Sequence, residues 1–171
     1  MDINFLLAEG IARRLEHSDA GVRLAAVEVL GKLEPAALAT HAEAIARRLE
    51  DSDASVRRSA FAALGKLEPV VLATHSEAIV RRLEDSDWQV RYAAQEALGK
   101  LKPTVLATHA EGITLRLENS AWPVRIWAVA TLGKLEPAVL ATHAEVIVQL
   151  LEVIDEGDRI YLVTEYVGGG E

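Results

Sequence analysis

Cysteine is absent from the 171-residue chain, which excludes disulfides, thiolate metal sites and cysteine nucleophiles. Long apolar runs are absent as well. No stretch approaches the roughly 18 uninterrupted apolar residues of a membrane-spanning helix. Basic residues are outnumbered, with 18 Lys and Arg against 26 Asp and Glu and a net charge of −8. Such a surface lacks the cations that displace counterions from a phosphate backbone, so nucleic acid is not an expected partner. A basic partner surface is mildly favoured. The N-terminus, MDINFLLAEGIARRLE, has an acidic residue at position 2 and only a short apolar run, unlike a secretory leader. A cytoplasmic protein without membrane contact is expected.

What the sequence has is repetition. The segment HSDAGVRLAAVEVLGKLEPAALATHAEAIARRLE begins at His17, and its copies begin at Asp51, Asp85 and Asn119, a constant interval of 34 residues. A period of this size marks a solenoid in which each unit stacks on its neighbours. The repeats fall near 17–50, 51–84, 85–118 and 119–152, with a half repeat over 3–16 and a distinct tail over 153–171.

Each repeat reads as two helices. Asp19, Asp53 and Asp87 are good N-caps for the first, ending near Leu67 before Glu68-Pro69 in the second copy. Ala121 breaks the cap pattern, with Pro123 in the first turn, where proline is tolerated. For the second helix, Thr40 with Glu43 predicts a capping box, repeated at Thr74, Thr108 and Thr142. That helix should run to about Leu49 and its equivalents. The PAALAT segment between the two helices predicts a short helical turn, continuous or not with the helix after it.

Comparing the copies separates core from surface. Val56, Ala60, Leu64 and Leu67 keep their types in all four copies, and Ile45 and Leu49 form a matching stripe. The positions of residues 54, 58, 61 and 62 vary and lie opposite that stripe. Four of the five aromatics within the repeats, Phe61, Trp88, Tyr92 and Trp122, fall there, and Trp127 flanks them. One reading is a partner-binding surface built from Phe61, Trp88, Tyr92, Trp122 and Ile126, with Arg58 and Glu96 as polar contacts. The other is packing between neighbouring repeats.

The string Leu-Glu-Asp-Ser-Asp-x-x-Val-Arg at Leu49–Arg57 and Leu83–Arg91, followed by Ala-x-x-x-Leu-Gly-Lys-Leu, resembles the HEAT-repeat signature, and the resemblance covers about residues 8–152. It implies an all-α, armadillo-like solenoid of about nine helices. It also implies a non-catalytic scaffold that binds a protein or peptide along a curved inner face, which the variable stripe would line. In HEAT proteins an Asp and an Arg six residues apart form a ladder between successive repeats. Here Asp51–Arg57 and Asp85–Arg91 hold those places. His17 and Asn119 replace the Asp in the first and last copies, which puts the ladder in doubt at both ends.

Chemistry is not evident. His41, His75, His109 and His143 recur one repeat apart, and stacked helices about 8–10 Å apart hold them too far from one another to share an ion easily. Asp51-Ser52-Asp53 lacks the glycine and distal glutamate of a calcium loop. No phosphate-binding glycine loop, H-E-x-x-H or Ser/His/Asp pattern is present. No catalytic residue, cofactor or metal is expected.

The tail is different. His143–Glu171, HAEVIVQLLEVIDEGDRIYLVTEYVGGGE, resembles the protein-kinase N-lobe around its fourth and fifth strands and hinge. The glycine-rich loop, strand lysine, H-R-D and D-F-G elements are missing, so no kinase activity follows. The resemblance implies either a regulatory or truncated segment of a HEAT–kinase fusion, or a junction with one. The strand formers of residues 158–167 favour a β-hairpin. A capping helix is the alternative, because Arg159 falls in register with Arg125. An exposed strand edge there would allow a homodimer or end-to-end stacking. A repeat protein with no evolved partner, orphan or designed, is a further alternative.

Overall fold

A computed structural model describes residues 3–144, with side-chain environments for residues 7–144. The expectations for the tail, whether hairpin, capping helix, kinase-like hinge or dimer contact, lie outside the described residues. Those residues form an all-α solenoid. The helices are α1 (Ile3–Ala12), α2 (Ala20–Leu30), α3 (Pro35–Ala39), α4 (Ala42–Arg47), α5 (Ala54–Leu64) and α6 (Pro69–Ala73). They continue as α7 (Ser76–Arg81), α8 (Trp88–Leu98), α9 (Pro103–Ala107), α10 (Ala110–Leu115), α11 (Trp122–Leu132) and α12 (Pro137–Thr142). Short 3₁₀ turns follow α1, α4, α7 and α10. The expected nine helices become more because the second helix of each repeat is split.

The long helices α2, α5, α8 and α11 start where the sequence places them. Asp53 accepts the amides of Ser55 and Val56, Asp87 those of Gln89 and Val90, and Asp19 that of Val22. Ala121 makes no such bond, and Pro123 has no amide to offer. Installing the missing cap, Ala121→Asp, should stabilise the chain by about 0.5–1 kcal/mol through the Val124 amide alone. A urea titration of the two proteins measures it.

These helices end at Leu30, Leu64, Leu98 and Leu132, three residues short of the expected point, each followed by a glycine. Gly31 sits at a close approach: a Cβ there would lie 3.2 Å from the Cβ of Ala63 in the next repeat, so the neighbour would have to shift by a few tenths of an ångström.

The capping box does not form. Thr40 has αR dihedrals of φ −67° and ψ −19° and closes the preceding short helix, so it cannot adopt the extended N-cap geometry. Its hydroxyl donates backwards to the Ala37 carbonyl at 2.7 Å. Thr74, Thr108 and Thr142 do the same, and His41, His75 and His109 occupy the cap positions instead. Helices α4, α7 and α10 then tighten into 3₁₀ turns rather than reaching the following leucine as α-helix.

The core is the repeated stripe. Val56, Ala60, Leu64, Ile45 and Leu49 and their equivalents in the next repeat are fully buried, and Leu67 is nearly so. Each such aliphatic side chain contributes about 1.5–3 kcal/mol.

Candidate partner-binding site

The variable stripe runs along α2, α5, α8 and α11. Its residues do not share one environment. Trp88 is 63% exposed, Tyr92 49% and Trp122 47%. Glu96 is exposed, and Arg58 and Ile126 are half-buried. Phe61 departs from the expectation. It is only 4% exposed and belongs to the core. The reason is the solenoid itself. A long helix is covered by its own hairpin partner and by the long helices before and after it, so one narrow strip remains open. Positions 54, 58 and 62 lie on that strip; position 61 turns into the neighbouring repeat, where Val27 is also buried.

The exposed aromatics gather at one end of the stripe. Tyr92 on α8 meets Trp127 on α11 edge-to-face, with ring centroids 5.8 Å apart, so the cluster bridges two repeats. Trp127 is half-buried and packs on the core, a footing for the more exposed rings. Arg58, one repeat earlier, is held by Gln89 and by the Ser55 hydroxyl at 2.9 Å, so its guanidinium spans two repeats as well. Asp87 and Glu96 lie at the two ends of α8, which carries Trp88 and Tyr92. Other exposed apolar side chains, Val70 and Leu115 among them, lie on different elements, and sequence comparison did not single them out.

The seams between repeats are held by the expected polar ladder between successive repeats. The Arg of each repeat reaches the Asp of the next. Arg23 makes two bonds to Asp51, Nη2 to Oδ1 at 2.6 Å and Nε to Oδ2 at 2.7 Å. Arg57 Nη2 donates to Asp85 at 2.7 Å. The contact between Arg57 and Asp51, six residues apart, is to the Asp51 backbone carbonyl at 2.8 Å. The first rung, between Arg23 and Asp51, is therefore intact although His17 stands at the Asp position of the first copy. Among the described residues, the seam at Asn119 lacks its carboxylate.

At Asp51, burial raises the carboxyl pKa, but Arg23's hydrogen bonds, the Asp53 amide and the charges of Arg23 and Arg48 together outweigh it and hold the group below its ordinary 3.8. A depressed folded-state pKa gives stability that is present above the unfolded value and lost as pH falls through the folded one. Urea midpoints measured from about pH 6 down to about pH 2 should therefore drop below pH 3.8 in the native chain, and drop less in Asp51→Asn, which has already lost the pair.

A second ladder was missed in the sequence. Lys66 donates to the Gly31 carbonyl and Lys100 to that of Gly65 at 2.6 Å, each lysine capping the C-terminal end of the previous repeat's long helix. The repeated Gly-Lys pair was its visible signal.

Among the described residues no helix is long and apolar enough to cross a membrane. No curated protein matches the sequence at a significant level. Solved structures share the fold, three of them as follows. The chain aligns with an engineered protein at a TM-score of 0.62 and 17% identity, covering 88% of this chain and 73% of that one. It aligns with a designed armadillo repeat protein at 0.58 and 16%, covering 80% and 69%. A second designed armadillo repeat protein, in complex with a (KR)4 peptide, gives 0.60 and 16%, covering 92% and 79%. The sequence profile for HEAT repeats matches residues 8–99, just over half of the chain. With the helical hairpins stacked at a constant period and the Arg–Asp pairs tying one to the next, the chain belongs to the HEAT-repeat family.

Proposed function

We propose that the protein is a non-catalytic scaffold that binds an extended, basic peptide segment across α8 and α11. The observation that carries this is the exposure of the three large aromatics Trp88, Tyr92 and Trp122 on one strip of the solenoid. Large aromatic faces at a solvent-facing surface are typical anchors for partner side chains. The net charge of −8, with Asp87 and Glu96 at the two ends of the helix that carries Trp88 and Tyr92, favours lysine and arginine on the partner. A guanidinium over an indole face gains about 0.5–2 kcal/mol, so aromatic and acidic groups act on the same ligand charge. A designed armadillo repeat protein of similar fold is in complex with a (KR)4 peptide, which supports a peptide as the partner class. Arg58 and Ile126 border the site.

Calorimetric titration with an alternating Lys-Arg peptide tests the reading. Saturable binding that weakens with salt is expected. An equal response to an alternating Glu-Ser peptide would refute the charge preference. No response to any extended peptide would refute the site.

A further inference from the structure

The open strip changes character at α5. On α8 and α11 it carries Trp88, Tyr92 and Trp122, whereas its positions on α5 are Ala54, Arg58 and Ala62. Arg58 stands where the other copies have Leu24, Tyr92 and Ile126, so the fold has no need of a charge there. Leu24 in the same place packs against the core.

Arg58 also differs from the arginines that build the ladder. Arg23 and Arg57 spend their guanidinium groups on a carboxylate of the next repeat and on carbonyls of their own loop. Arg58 bonds two neutral oxygens. Its Nη1 donates to the Gln89 side-chain oxygen and its Nη2 to the Ser55 hydroxyl at 2.9 Å. Among the described residues no carboxylate lies within ion-pair distance of it. The two bonds engage one hydrogen on each terminal nitrogen and leave the second hydrogen of each, and that of Nε, for a ligand. Ala54 and Ala62, one turn to either side, put nothing longer than a methyl beside it.

Those bonds also place the charge. Ser55 is on α5 itself, and Gln89 follows Trp88 on α8, so the guanidinium is tied to the helix that carries the first aromatic anchors. The equivalent pairs, Leu24 with Ser55 and Tyr92 with Pro123, cannot make this bridge, so it is no part of the repeat's construction. A guanidinium held in advance by neutral partners keeps its charge for a ligand and lowers the ordering cost of binding one.

We propose that Arg58 is the acid-reading subsite of the peptide site, taking the side-chain carboxylate of an Asp or Glu three residues from the basic residue held at Trp88 and Tyr92. This deepens the peptide-binding reading and rests on it. Charge complementarity assigns the occupant. The strip offers aromatic rings with acidic neighbours on α8 and a cation on α5, so a matching ligand reverses its charge between those two helices. Helix spacing assigns the interval. Packed neighbouring helices lie about 8–10 Å apart. A peptide in the polyproline II conformation presents every third side chain on one side, about 9 Å on. A uniformly basic peptide sets a like charge against Arg58; an acidic residue removes that conflict and adds charge-assisted hydrogen bonds.

The test is calorimetric titration of the full chain with four peptides, acetylated and amidated so that the side chain supplies the only carboxylate. Each contains Lys-Arg-Lys-Arg. Glu, or Gln in its place, is joined through two alanines before that block in one pair and after it in the other, which covers both chain directions. In one pair Glu should bind about tenfold tighter than Gln, the gain of a hydrogen bond to a charged group. In Arg58→Leu, which carries the residue of the first copy and should keep its Tm, that preference should vanish. Glu binding no tighter than Gln in either pair, while the Gln peptides still bind, overturns the subsite and leaves the peptide-binding reading standing. A preference that Arg58→Leu retains in full overturns it too. If none of the four peptides binds, the peptide-binding reading itself fails, and the subsite with it.

Discussion

Asp85→Ala is expected to cost about 3–5 kcal/mol, the penalty for leaving a buried charge without its partner. The partner is Arg57, with an 8% exposed side chain, against 3% for Asp85. Deleting the carboxylate strands that guanidinium, frees the Asp87 amide that Asp85 Oδ1 accepts, and removes the charge beside Arg82. A solenoid is stabilised by contacts between neighbours, so the loss falls on one seam. The urea transition should broaden or split into two, with the α1–α5 side unfolding separately from the α8–α11 side. The double variant Arg57→Met/Asp85→Leu should recover part of the loss, since it removes the stranded charge. It should not recover all of it, because Arg57 also donates to the carbonyls of Asp51 and Ser52.

The second large effect is on binding. Trp88→Ala/Tyr92→Ala is expected to weaken the Lys-Arg peptide by about 100-fold or more, since central aromatic anchors commonly cost at least 2 kcal/mol each when truncated. Both side chains are about half or more exposed, so the fold should survive their removal, with a Tm close to that of the native chain. Tyr92 also holds the edge of Trp127, so its loss loosens the footing of the cluster as well as the contact. Phe61→Ala is the contrasting control. Phe61 is in the core, and its removal should cost about 3–5 kcal/mol of stability. At a temperature where that variant remains folded, its peptide affinity should stay within a few-fold of native, on the order of 1 kcal/mol.

Much of this architecture was legible because the repeat is its own comparison. Val56, Ala60 and Leu64 recur at helical spacing in every copy, and all three are fully buried. The aspartate caps could also be read directly, since an Asp before a periodic apolar stripe has one strong local use. The misreadings have distinct causes. Thr40 carries the letters of a capping box, but the residues before it already form a helical turn, and that backbone geometry removes it from the role. Phe61 lies on the variable side of a single helix, yet a solenoid helix has neighbours on both flanks, which a one-helix wheel does not represent. The Phe61 error comes from reading within a repeat what is decided between repeats. The ladder was legible in outline, since the Asp and Arg positions of successive repeats do pair, Arg23 with Asp51 and Arg57 with Asp85. The exposed cluster of Trp88, Tyr92 and Trp122 survived because exposure on the central strip depends on the wheel alone.

The central claim is that the strip across α8 and α11 is where a partner docks. The chain offers three indole N–H groups as reporters, two of them on exposed rings of that strip. The most direct measurement follows these three resonances in a ¹⁵N–¹H correlation spectrum during titration with the Lys-Arg peptide. The account predicts that Trp88 and Trp122 move together and saturate at the calorimetric affinity, with the more buried Trp127 moving less. Binding that leaves all three indoles in place, while backbone amides elsewhere on the solenoid shift, would contradict it.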